Sequence, residues 1–81
     1  MAETTNMRRR SVTRLVREGE LVAEVAVQLI ETDPGSGWTP YLSLEDAYRL
    51  DDVRAALRSG DLQRAGQLAE HLFRLTPVEA A

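Results

Sequence analysis

The chain has 81 residues, enough for one domain. A chain this short buries only about 60% of the surface it exposes when unfolded, so its own core is small. It has no cysteine, which excludes disulfides and thiolate metal sites as staples and leaves oligomerisation or a partner as the remaining device. The net charge of −3 hides a division. Residues 1–17 carry five Arg against one Glu, a net of +4, and the rest carries five Arg against twelve acids, a net of −7. That asymmetry reads as a basic arm on an acidic body.

Residues 1–6, "MAETTN", are polar and read as a loose terminus. In "RRRSVTRLVRE" Val12 and Val16 fall on one face with Arg14 between them, and Leu15 falls on the other. The spacing predicts a strand, closed by a turn at Gly19-Glu20. "ELVAEVAVQLIE" then alternates with period two. Leu21, Ala23, Val25, Val27 and Leu29 make a fully apolar face, and Glu20, Val22, Glu24, Ala26, Gln28 and Ile30 make a mixed one. Valine-rich alternation favours extended structure. Residues 7–31 are therefore expected to form an antiparallel β-hairpin.

Residues 32–42 are read as a loop and arm. "TDPGSG" has turn composition, and Pro40 in "WTPYL" forces its predecessor extended, which fits a short third strand or an irregular arm. Residues 43–76 are read as helical. Ser43 stands as an N-cap with Asp46 three residues on, as in a capping box. Leu44, Ala47 and Tyr48 share one side and Leu50, Val53 and Leu57 another, so Asp51 is expected to cap a second short helix ended by Gly60. Asp61 then caps a last helix with Leu62, Ala65, Leu68, Ala69, Leu72 and Leu75 as its buried stripe, stopped at Thr76-Pro77. The expected fold is α+β: an N-terminal antiparallel hairpin packed against two or three C-terminal helices in one small domain.

Two resemblances rest on these segments. "SGDLQRAGQLAEHLFRLTP" looks like half of a tetratricopeptide repeat, with the Gly60-Asp61 turn, Ala65, and Leu75-Thr76-Pro77. Its first helix departs, because Arg49, Asp52 and Val53 stand where the motif has a large aromatic, a leucine and a small residue. Arrays need about three repeats and one fits here, so the segment reads as a helical hairpin with ordinary turn chemistry. Most of the chain is also similar to small bacterial proteins of the antitoxin type. That resemblance is carried by "VREGELVAEVAVQLIETD", "GWTPYLSLEDAYRLDDVRAALRSGDL" and "LTPV". The order strand, strand, "SLEDA" helix resembles HicB-like antitoxins, which normally carry a further strand and often a DNA-binding domain; neither is evident here. The resemblance implies a toxin-neutralising or regulatory partner.

Little in the residue set suggests chemistry. Nucleophilic catalysis needs a Ser or Cys beside a base, and the chain has one histidine, His71, within the expected last helix. The pairs Glu45-Asp46 and Asp51-Asp52 are explained as caps and first-turn anions on helix dipoles rather than as cation ligands. "PGSG" lacks the lysine and length of a phosphate loop. A non-catalytic protein with no cofactor and no metal is expected. No apolar run approaches the roughly 20 residues that cross a bilayer. Arg8, Arg9 and Arg10 look like the charged start of a signal peptide, but Ser11, Thr13, Arg14 and Arg17 interrupt the apolar stretch it would need. The chain is read as soluble and cytoplasmic. All ten basic residues are arginine, which fits a GC-rich bacterial genome.

Trp38, Tyr41 and Tyr48 give large contact area with a polar handle, and they lie beside Glu45, Asp51 and Asp52. These six residues are the candidate protein interface, with acids suited to a basic partner such as an RNA-cleaving toxin. Association of like copies is expected through strand edges or apolar helix faces. The alternative is a nucleic-acid-binding regulator using Arg8, Arg9, Arg10, Arg14 and Arg17 against phosphates. A ribbon-helix-helix arrangement is excluded, because it needs a helix where "GELVAEVAVQLI" alternates as a strand.

Overall fold

The computed structural model describes residues 8–31 and 40–79. The expected loose terminus, the loop at 32–37 and Trp38 lie outside them. Strand β1 (Arg8–Glu18) and strand β2 (Leu21–Glu31) form the expected hairpin, in register from Arg8↔Glu31 to Glu18↔Leu21. The two-residue connection is Gly19-Glu20. Gly19 has φ +60° and no non-glycine residue has positive φ among the described residues. A positive φ at the first central position alone is the mark of a type II′ turn, whose twist matches that of paired strands.

Strand β3 (Tyr41–Leu42) is the short third strand that "WTPYL" allowed, and it pairs with Leu29 and Ile30 of β2. Helix α1 (Leu44–Ser59) comes next, then helix α2 (Leu62–Leu68) and strand β4 (His71–Arg74), which pairs antiparallel with Leu21–Glu24 of β2. β2 is thus the central strand. β1 lies along one side of it, and β3 and β4 share the other.

The period-two pattern sorts the residues as expected. Ala23, Val25 and Val27 of the apolar face are buried, with Val16 of β1. Val53, Ala56 and Leu57 of α1 and Ala65 of α2 pack onto them, and Leu50, Leu68, Ala69 and Leu72 close the margin. α1 starts where predicted: the Ser43 Oγ accepts from the Asp46 amide at 3.1 Å. It ends at Gly60 with φ +75°, where the Asp61 amide bonds the Ala56 carbonyl and the Gly60 amide bonds the Leu57 carbonyl. That bond pair is the Schellman stop, which favours glycine at the left-handed position. Asp61 caps α2, its carboxylate accepting from the Arg64 amide at 3.1 Å.

Two expectations for the helical part are corrected. Asp51 does not cap a second helix, because α1 runs unbroken through it. Val53, Ala56 and Leu57 form the buried face of α1 with Leu50 packed at its margin, whereas Leu44 and Tyr48 are exposed and do not compete with it. The last helix does not reach Leu75. It stops at Leu68, and residues 71–74 are extended. Leu72 still reaches the core, as the stripe predicted, but from a strand opposite Ala23.

The reason for that strand lies on the second side of β2. The backbone groups of its even-numbered residues point there and need partners. The Glu24 carbonyl accepts from the Glu70 amide at 2.8 Å, and the Glu20 carbonyl accepts from the Leu75 amide at 2.6 Å, on either side of β4. Between β4 and β3 no strand among the described residues covers β2, and side chains take its place. The Asp46 carboxylate accepts from the Gln28 amide at 2.8 Å, and the Glu70 carboxylate accepts from the Ala26 amide at 2.7 Å. The Arg49 guanidinium donates to the Ala26 carbonyl and lies 3.5 Å from Asp46.

Asp46→Ala is expected to lower stability to denaturant by about 1–3 kcal/mol, because it removes a hydrogen bond from the Gln28 amide to a charged acceptor and the contact with Arg49. The adjacent Glu45→Ala, an exposed surface change, should cost no more than about 0.5 kcal/mol. Hydrogen exchange at the Gln28 amide should quicken in the first variant only. Equal behaviour of the two would mean that the side chain contributes nothing to the edge.

Candidate interaction surface

Both helices pack on one face of the sheet. The register puts Arg9, Ser11, Thr13, Leu15 and Arg17 of β1 on the other face, with Val22, Glu24, Ala26, Gln28 and Ile30 of β2. β4 adds His71 and Phe73, opposite Glu24 and Val22, and β3 adds Tyr41, opposite Ile30. A solvated face is ordinary for an antiparallel sheet, but such a face is normally polar. Here Ile30 is buried, while Leu15 is 65% exposed and Tyr41 and Phe73 are each 49% exposed.

At the turn end these residues form a shallow groove of about 500 Å³, lined by Leu15, Arg17, Val22, Glu24, Phe73 and Leu75. Its floor is apolar and its rim charged. The Glu24 carboxylate lies 3.1 Å from His71 Nδ1, and the His71 ring leans 6.1 Å from that of Phe73. A polar recess of about 330 Å³ lies at the uncovered stretch of β2, but its Asp46, Arg49 and Glu70 are engaged in the backbone bonds of that edge.

The expected interface residues are divided between two sides of the molecule. Tyr41 is on the open sheet face. Tyr48, Glu45, Asp51 and Asp52 are exposed on the solvent side of α1, in the opposite layer, with Leu44 beside them at 66% exposure. The acids and Tyr48 therefore form a separate acidic helix face and do not meet Tyr41. Trp38 lies outside the described residues.

The arginines are likewise divided. Arg9 and Arg17 share the open face, whereas Arg8, Arg10 and Arg14 point to the helix side of β1. All five are exposed. Of these five, only Arg10 lies near a carboxylate of the described residues, 3.6 Å from Glu31. Arg17 Nε donates to the Gly19 carbonyl at 3.2 Å, and Arg9 reaches Gln28 at 3.5 Å.

The groove was not among the sites expected from sequence, although two signals point to it. Leu15 stands alone on the face opposite Val12 and Val16. Phe73 is left out of the expected helical stripe of Leu72 and Leu75. Among the described residues no group of three His, Asp or Glu is arranged to hold a metal ion, and no helix is long and apolar enough to cross a membrane. The site rests on this geometry alone, for no family model, no curated protein and no solved structure matches the chain.

Proposed function

We propose that the chain is a small, non-catalytic interaction protein of the bacterial cytoplasm that acts by stoichiometric binding of another protein. The observation that carries this reading is the groove of Leu15, Val22, Phe73 and Leu75, an apolar floor with nothing over it among the described residues. Contiguous exposed apolar side chains with a charged rim mark association surfaces, and aromatic residues are enriched in them. The antitoxin type named by the sequence resemblance fits this mode of action. The exposed Glu45, Asp51 and Asp52 of α1 would suit a basic toxin and would steer its approach.

A second reading has its own support. Arg8, Arg9, Arg14 and Arg17 lie near no carboxylate among the described residues, so their charge is free for phosphates. This is the nucleic-acid-binding alternative. Salt separates the two, because phosphate binding falls steeply with ionic strength and an apolar contact does not.

Capture of the tagged chain from its native cells, with and without nuclease, tests the choice. One stoichiometric protein that survives nuclease and high salt supports the interaction reading. Nucleic acid lost on either treatment supports the arginine reading. A lone oligomer of the chain would assign the groove to self-association.

Leu15→Gln gives a sharper check. The side chain is exposed, so stability should change by no more than about 0.5 kcal/mol. Affinity for the captured partner should fall about tenfold or more if the groove is the central contact. Unchanged affinity would remove the groove from the interface.

A further inference from the structure

We propose that the outer edge of β1 takes an extended acidic segment of a partner protein as an additional strand. This goes beyond the groove reading, because it concerns the main chain of β1 rather than the open face.

The main chain sets the first condition. Even-numbered residues of β2 direct their backbone groups to the β3 and β4 side, as the bonds at Glu24, Ala26 and Gln28 show. Odd-numbered residues of β2 therefore face β1, and the register pairs them with even-numbered residues of β1. The odd-numbered residues of β1, Arg9 through Arg17, present their amides and carbonyls outward. No strand among the described residues pairs there. An eleven-residue edge with this alternation is a template for another strand.

Charge sets the second condition and selects the occupant. β1 carries Arg8, Arg9, Arg10, Arg14 and Arg17 against one acid, Glu18, which Arg54 and Arg58 already hold at 3.6 and 3.3 Å. A second copy of β1 would set arginine against arginine across the new ladder, and like charges directly opposite are destabilising. The same charge that excludes the chain's own copy favours acids. A strand added at this edge alternates its side chains between the two faces. Acids on one face meet Arg9 and Arg17, and acids on the other meet Arg10 and Arg14. A residue opposite Leu15 would be apolar. This alternation also favours a peptide over a nucleic acid, since a phosphate backbone needs its cations on one surface.

The test is selection from a displayed random library of peptides about eight residues long, the usual strand length, against the whole chain. The selected peptides should be acidic with an apolar residue at one alternate position. Thr13→Pro removes an outward amide at a place where an edge strand accepts proline, and should weaken them about tenfold or more. Arg9→Glu with Arg14→Glu should do the same without touching the backbone, and serves should the proline variant fail to fold. Phe73→Thr, in the groove, should leave peptide binding unchanged. No selected peptide, peptides without acidic bias, or peptides indifferent to both edge variants would overturn the proposal. So would binding of a fluorescent oligo-dT in place of any peptide. A captured protein partner that responds to Leu15→Gln but to neither edge variant would leave the groove reading standing and the edge proposal refuted.

Discussion

The backbone groups on the second side of β2 govern the rest of the arrangement. β2 is the only strand with neighbours on both sides among the described residues, and its apolar residues make the floor of the core. A half-buried central strand with unpaired amides and carbonyls is costly. β3 and β4 satisfy its two ends, and Asp46, Arg49 and Glu70 satisfy the stretch between them. Each of those side chains sits at an element boundary. Asp46 and Arg49 are in the first turns of α1, and Glu70 is the residue before β4. The edge therefore fixes where α1 begins, how it crosses the sheet, and where α2 must give way to a strand.

The same constraint explains the limits of what the sequence disclosed. The hairpin was legible because alternation over eleven residues has few other readings, and Gly19 marks its turn. The caps at Ser43, Gly60 and Asp61 were legible because each is a local bond pattern. β4 was not. Leu68, Ala69, Leu72 and Leu75 fit a helical stripe, and only the need of a distant strand at Leu21–Glu24 makes "HLFR" extended. Asp46 shows the same limit at a single residue. Its place three residues after Ser43 suggested a return bond to the cap. Its carboxylate instead serves Gln28, eighteen residues back in the chain. The candidate interface divides for a related reason: Tyr41 and Tyr48 are close in sequence, but the start of α1 puts a sheet layer between their side chains.

Size dictates what is left exposed. At about 1.5 Å per residue the sixteen residues of α1 extend about 24 Å. At about 3.3 Å per residue each eleven-residue strand of the hairpin extends about 36 Å. One helix and a seven-residue companion cover one face of the sheet near the turn and cannot cover the far end of the hairpin or the opposite face. The burial along β1 agrees with this geometry, while Ile30 of β2, at the far end on the opposite face, is buried opposite Tyr41 of β3. Val16, near the turn, is buried, whereas Arg8 through Ser11, at the far end of the same strand, are exposed.

The residues placed on these uncovered surfaces are not those that a sheet needs only for solubility. Serine, threonine and glutamine, as at Ser11, Thr13 and Gln28, would suffice along the whole open face. Leucine at 15 and phenylalanine at 73 add nothing to the buried cluster, which closes without them. Arg14 lies between Val12 and Val16 on the helix side and remains exposed, an inward-pointing charge of the kind that stops an edge strand from pairing with its own copy. The same strand thus carries a device against self-pairing on its edge and an invitation to contact on its open face. A chain with a small core and no covalent staple gains stability from any ligand that binds only its folded form. Under the proposed function, a partner seated on these surfaces would add its binding energy to the stability of the fold.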